Sequence, residues 1–175
     1  TDWTNNAYDS EIWMSRDGQA PVQLTRTNKN SSVNARITPD SRFVSFVADR
    51  GDKNQLYIIS VLGGEALQIT KDEEGIGGYD WNPDGTMVAY TKAETDTKKE
   101  KAIKERFGAF GVEGEEYKQN HLWVLNFNYD SVVMAGQLPC KTKKKDSTKT
   151  NDSKQDCYLL PVGRRLTEGN FTVNG

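Results

Sequence analysis

Histidine and cysteine are nearly missing from this chain. It holds one histidine, His121, and two cysteines, Cys140 and Cys157. One imidazole and two thiols do not build a zinc site unaided. A single histidine also narrows the acid–base chemistry on offer. Long apolar runs are missing too. No stretch approaches the ~20 residues that a bilayer span needs, so no membrane span is expected. Neither sign of charge dominates, with 23 Lys and Arg against 25 Asp and Glu and a net charge of −2. That removes the electrostatic case for nucleic acid or an anionic membrane as partner. The opening "TDWTNNAYDS" has neither the charged nor the apolar region of a secretory leader. "GIGG" (75–78) is followed by no Lys-Ser/Thr, so it is an inter-strand connector and not a phosphate loop. "DRGDKN" (49–54) lacks EF-hand spacing and reads as a hairpin turn. No cofactor and no metal is expected.

What is present is a repeat. "ITPDSRFVSF" (37–46) aligns with "WNPDGTMVAY" (81–90): Pro39 with Pro83, Asp40 with Asp84, Val44 with Val88, Phe46 with Tyr90, all 44 residues apart. "EIWMSRDGQAPVQLT" (11–25) aligns with "QLYIISVLGGEALQIT" (55–70), placing Trp13 on Tyr57. A third copy of this half is split between "HLWVLN" (121–126) and "GRRLT" (163–167), with Trp123 at the aromatic position. A period near 44 falls in the range of propeller blades. The intact unit holds four short candidate strands, about 34–38, 42–48, 55–61 and 66–70, with turn residues in each gap. "RFVSFVA" (42–48) is apolar on both faces. Inner strands stacked between two neighbours can be so, whereas a two-sheet sandwich favours alternation. The fold expected is all-β, a partial β-propeller of four-stranded antiparallel blades with a short helical insertion. Residues 1–32 would be the C-terminal half of a blade and 33–76 a complete one. Residues 77–167 would be a blade with insertions at about 92–119 and 128–158, and 168–175 the start of the next.

The run P-D-G-x-x-V-A-Y (83–90), then an aromatic strand, a Gly-Gly turn and a closing L/I-T, resembles TolB-like propeller repeats. "KERFGAFGVEGEEYKQNHLWVLN" (104–126) is similar to the insertion in the N-terminal propeller of prolyl oligopeptidase family serine peptidases, of the acylaminoacyl-peptidase and dipeptidyl-peptidase kind. The resemblance implies a peptide hydrolase whose Ser–Asp–His triad sits on an α/β-hydrolase domain. The chain has no G-x-S-x-G elbow, and His121 lies in a structural strand. It is therefore expected to be the non-catalytic portion, gating or orienting short peptides for that domain, with peptide, hydrolase domain and remaining blades as its partners. The alternative is a TolB-like propeller that binds protein and has no enzymatic activity. Ser41 stands where the repeat has Gly, which a type I turn tolerates.

Within that resemblance, acidic or basic groups would hold a peptide terminus. The candidates are Arg106, Glu113, Glu115 and Glu116, each set against an ordinary solvated surface. Asp72–Gly75 reads as a solvated acidic loop. Residues 95–107 combine helix formers with a Thr or Asp N-cap and a thin apolar face, predicting a surface helix. Residues 141–156 are nearly devoid of apolar groups and predict a loop. "VVMAGQLP" (132–139) and "YLLPV" (158–162) are expected to pair as a hairpin. That would bring Cys140 and Cys157 within disulfide reach; two free thiols are the alternative. An exported location is favoured over the cytoplasm. The chain also reads as cut at both ends, entering the repeat at its third strand.

Overall fold

The computed structural model describes residues 8–27, 30–51, 53–108, 118–137 and 160–174. A two-stranded hairpin, β1 (Trp13–Met14) and β2 (Val22–Gln23), comes first. Sheet 1 follows, in order β3 (Ser32–Ile37), β4 (Phe43–Asp49), β5 (Asn54–Ser60) and β6 (Leu67–Gln68). Sheet 2 repeats the pattern with β7 (Tyr79–Trp81), β8 (Met87–Ala93), β9 (Asn120–Asn126) and β10 (Arg164–Arg165). Every pairing is antiparallel and every strand lies beside its neighbour in sequence. Two such sheets, 44 residues out of phase and packed face to face, are blades of a partial β-propeller.

Local chemistry sets the strands. β4 and β5 are rich in β-branched and aromatic residues, which suit a pleated surface. The turn between β3 and β4 closes with the Ser41 N–H donating to the Thr38 carbonyl at 2.8 Å. The Asp40 carboxylate accepts from the Arg42 N–H at 3.1 Å. The turn between β7 and β8 copies this: Gly85 N–H to Asn82 O at 3.0 Å, Thr86 N–H to Asp84 at 2.9 Å. Gly85 has φ 73° and Ser41 has φ 58°. Ser41 is the last residue of that turn and occupies a left-handed position that favours glycine.

Both faces of sheet 1 are covered. Phe43, Val47, Leu56, Ile58 and Ile69 pack against Ile76, Tyr79, Val88, Tyr90 and Leu125 of sheet 2 and its connector. Val44, Phe46, Ala48, Tyr57 and Ile59 pack against Ile12 and, beyond it, Met14 and Leu24. Burial of one such aliphatic or aromatic side chain contributes roughly 1.5–3 kcal/mol. Val44, Phe46, Val88 and Tyr90, which align in the repeat, are all buried. The far face of sheet 2 is different. Leu122 and Val124 are half-buried there, while Met87 and Leu166 are exposed. Their equivalents Leu56, Ile58, Phe43 and Ile69 in sheet 1 are sealed.

Two helices interrupt sheet 2. Helix α1 (Lys98–Phe107) lies between β8 and β9 and has a capping box at Thr97 and Glu100. It buries no residue, as its thin apolar face predicts. Helix α2 (Tyr129–Gln137) follows β9. It corrects the expected hairpin, because residues 132–137 are helical and not a strand. Asn128 caps it, its side chain accepting from the Ser131 N–H at 3.0 Å. Helix formers such as Met134 and Ala135 then outweigh the Val132–Val133 pair. Cys140 and Cys157 lie outside the described residues.

Candidate functional site

Each third strand is tied to its closing strand by a threonine. Thr25, Thr70 and Thr167 accept on Oγ1 the N–H of Ile12, Leu56 and Leu122, each at 2.9 Å. The hydroxyl then turns to the preceding residue. Thr25 donates to Glu11 Oε2 at 2.5 Å, and Thr70 to Gln55 Oε1 at 2.8 Å. In the third copy Thr167 Oγ1 lies 3.3 Å from His121 Nδ1. The aromatic positions share a register: Trp13 pairs with Gln23, Tyr57 with Gln68 and Trp123 with Arg165. They do not share an environment. Trp13 is 58% exposed and Tyr57 is 7% exposed.

His121 thus fills the place that Glu11 and Gln55 fill elsewhere. It is 1% exposed. Its Nε2 lies 3.1 Å from Glu94 Oε1, which also accepts from the Arg165 guanidinium at 3.1 Å. The Glu94 carboxylate can only accept, so Nε2 donates its N–H to Glu94. Hydroxyl, imidazole and carboxylate in a row look like a triad. The same hydroxyl geometry in the other two copies, without histidine, shows it to be a strand clamp.

Beside the clamp lies a cavity of about 290 Å³ lined by Lys92, Glu94, Thr97, His121, Trp123 and Arg165 among others. Lys92 Nζ donates to Asp72 Oδ2 at 2.7 Å and sits 4.0 Å from the Trp123 ring centre. Both partners of this ion pair are largely buried. Asp72 is therefore not part of a solvated loop. It fastens the connector between the sheets to β8. The charged groups here are satisfied by one another, which makes the cluster a brace. Among the described residues no group of three His, Cys, Asp or Glu is placed to hold a metal.

A second opening lies along the first strands. A cleft of about 590 Å³ is lined by Asn34, Arg36, Tyr79, Asp80, Tyr90 and Thr91 among others. Arg36 and Asp80 face each other across it at 3.9 Å and are both exposed. The bulge in β3 turns Asn34 to φ 55°, and the Tyr79 hydroxyl donates to its carbonyl at 2.9 Å. Tyr79 also lies 2.9 Å from Ser45 Oγ, which accepts from Trp81 Nε1 at 2.8 Å. Burial holds the Tyr79 phenol proton up to about 12. Burial, aided by the charge of Asp72, does the same for Tyr90, to about 12. Gly163 passes so close to Tyr90 Oη that no Cβ would fit there.

Arg106 is exposed on α1, with its guanidinium 5.2 Å from the Phe107 ring centre. Glu113, Glu115 and Glu116 lie outside the described residues. Arg106 does not line the cleft. The polar lining of the cleft carried no motif of its own in the sequence.

No family model matches the chain. A Bacillus subtilis (strain 168) protein named uncharacterized peptidase YuxL is 30% identical over 174 residues. That match takes in 97% of this chain, which spans 26% of the relative's length. A solved structure described as a TolB candidate from Agrobacterium tumefaciens overlays with a TM-score of 0.47 and 18% identity. It covers 66% of this chain and 37% of the other.

Proposed function

We propose that the chain is the non-catalytic propeller portion of a serine peptidase of the prolyl oligopeptidase family. In that role it admits and orients short peptides for an α/β-hydrolase domain. The observation that carries this is the near-full-length likeness to a protein named as a peptidase, of which the chain spans about a quarter. Three features of the structure support it. His121 is locked in a strand clamp by Glu94 and Thr167, so the nucleophile and base are sought elsewhere. The half-open far face of sheet 2 carries apolar residues whose equivalents in sheet 1 are sealed by a neighbouring blade. Remaining blades would cover it. The cleft with Arg36 and Asp80 on its rim offers opposite charges to the two ends of a peptide.

The test uses the complete protein that carries this chain. Chromogenic acyl-amino-acid and dipeptide substrates should be hydrolysed, and a long unfolded polypeptide should not. Hydrolysis of none of the short substrates refutes the peptidase assignment. Equal cleavage of long and short chains refutes the gating role alone.

A further inference from the structure

Residues 127–137 occupy a hairpin that is short in sheet 1. There, Leu62–Gly63–Gly64 turns directly from β5 towards β6, with both glycines at positive φ and Leu62 fully out in solvent. In sheet 2 the chain leaves β9 and crosses onto the other sheet. Phe127 first bonds back to its own blade, its N–H donating to Thr86 O at 2.7 Å. Its ring then meets Trp81 edge-on at 4.9 Å. Tyr129 stacks on Phe43 of sheet 1 at 4.5 Å, and the Arg42 guanidinium lies within 6.0 Å of the Tyr129 ring centre. Helix α2 comes to rest against β6, the outer strand of sheet 1. Val132 is 1% exposed, and Ala135 is buried as well.

We propose that residues 127–137 are a strap that locks sheet 2 onto sheet 1 and guards the open edge of β6. Among the described residues β6 pairs on one side only, with β5, and a strand edge left so invites pairing with another chain. Covering it with a helix removes that template. The strap is anchored in one sheet by a backbone bond and in the other by an aromatic stack and a buried aliphatic residue. The two sheets therefore move as one body, and any opening of the propeller happens at another seam.

The test is hydrogen–deuterium exchange on the complete protein. The readouts are the Ile69 amide, which donates to Leu56, and the Thr91 amide, which donates to Gly78. Val132→Asp should undock α2 and quicken exchange at Ile69 at least ten-fold, leaving Thr91 unchanged. Tyr129→Ala buries no charge and should act in the same direction; it decides the matter if Val132→Asp does not fold. Met134→Asp, on the exposed side of α2, should change neither. Two results overturn the proposal. One is fast exchange within α2 with Ile69 unchanged, which makes the helix a passenger. The other is equal acceleration at Ile69 and Thr91, which makes Val132 an ordinary core residue.

Discussion

Thr70→Val tests the clamp that recurs in all three copies. Valine keeps the shape and the β-branch of threonine but removes the hydroxyl. Thr70 is buried, so the Leu56 N–H loses its 2.9 Å acceptor where water does not reach it. A buried donor left without a partner costs about 1–3 kcal/mol. Gln55 Oε1 loses the 2.8 Å bond from Thr70 but keeps the Asp72 N–H at 3.0 Å, so the extra loss there is small. A total of about 2 kcal/mol is expected. Thr70→Ser is the control: it keeps both bonds and loses one methyl group, about 0.8 kcal/mol. Thr167 is only half-buried, water can replace its hydroxyl, and Thr167→Val should cost less than Thr70→Val. Urea denaturation of the complete protein, followed at the transition that includes these sheets, measures each loss. With a slope of about 2 kcal/mol/M, Thr70→Val should lower the midpoint by roughly 1 M. If Thr70→Ser is as damaging as Thr70→Val, methyl packing is what matters at this position and the clamp is not a hydrogen-bonding device.

The other expectations are more local. Ser41→Gly should stabilise by about 0.5–1 kcal/mol, since relief of a left-handed residue of ~1–2 kcal/mol outweighs the entropy of glycine. Gly85→Ser should lose a similar amount; a loss of stability in Ser41→Gly contradicts the assignment. Tyr79 and Tyr90 hold their protons up to about 12, above the unfolded value of 10. Their stabilising contribution is intact below pH 10 and is lost as the pH rises towards 12. Tyr57 is raised by burial as well, so absorbance titration at alkaline pH should find these three tyrosines ionising late, and Tyr79→Phe should remove one of them. Hydrogen bonds from Lys104 and then Lys118 hold the Asp96 carboxyl down to about 2. Its tie to α1 is present above pH 4 and is lost as the pH falls towards 2. An NMR titration placing Asp96 at an ordinary carboxylate value would contradict the pairing.

The repeat made the fold legible, because offset and chemistry agreed. Pro39-Asp40 and Pro83-Asp84 marked one turn, Leu24-Thr25 and Ile69-Thr70 one strand end, and two-sided apolar runs marked strands buried on both faces. The threonines were visible as a motif, but their partners were not. Glu11, Gln55 and His121 share no residue type, so only the register shows them to be one position. Helix α2 was misread as a strand because Val132 and Val133 favour strands locally, while the Asn128 cap and docking on β6 decide the outcome. Asp72 was misread as solvated because its partner, Lys92, lies 20 residues away and carries no pattern of its own. The cleft rim escaped for the same reason. Arg36 and Asp80 belong to different blades, and only stacking of the sheets brings them together.

Ser45 has one further consequence. Its counterpart at the same place in sheet 2 is Ala89, which pairs across to Val124 as Ser45 pairs to Ile58. Similar repeats in one chain risk stacking in the wrong order during folding. A strand presenting Tyr79 and Trp81 finds an acceptor for its indole in Ser45. Laid against Ala89, it would leave the indole N–H without that acceptor, at about 1–3 kcal/mol. The hydroxyl would then act as an address label, telling one blade which neighbour to accept.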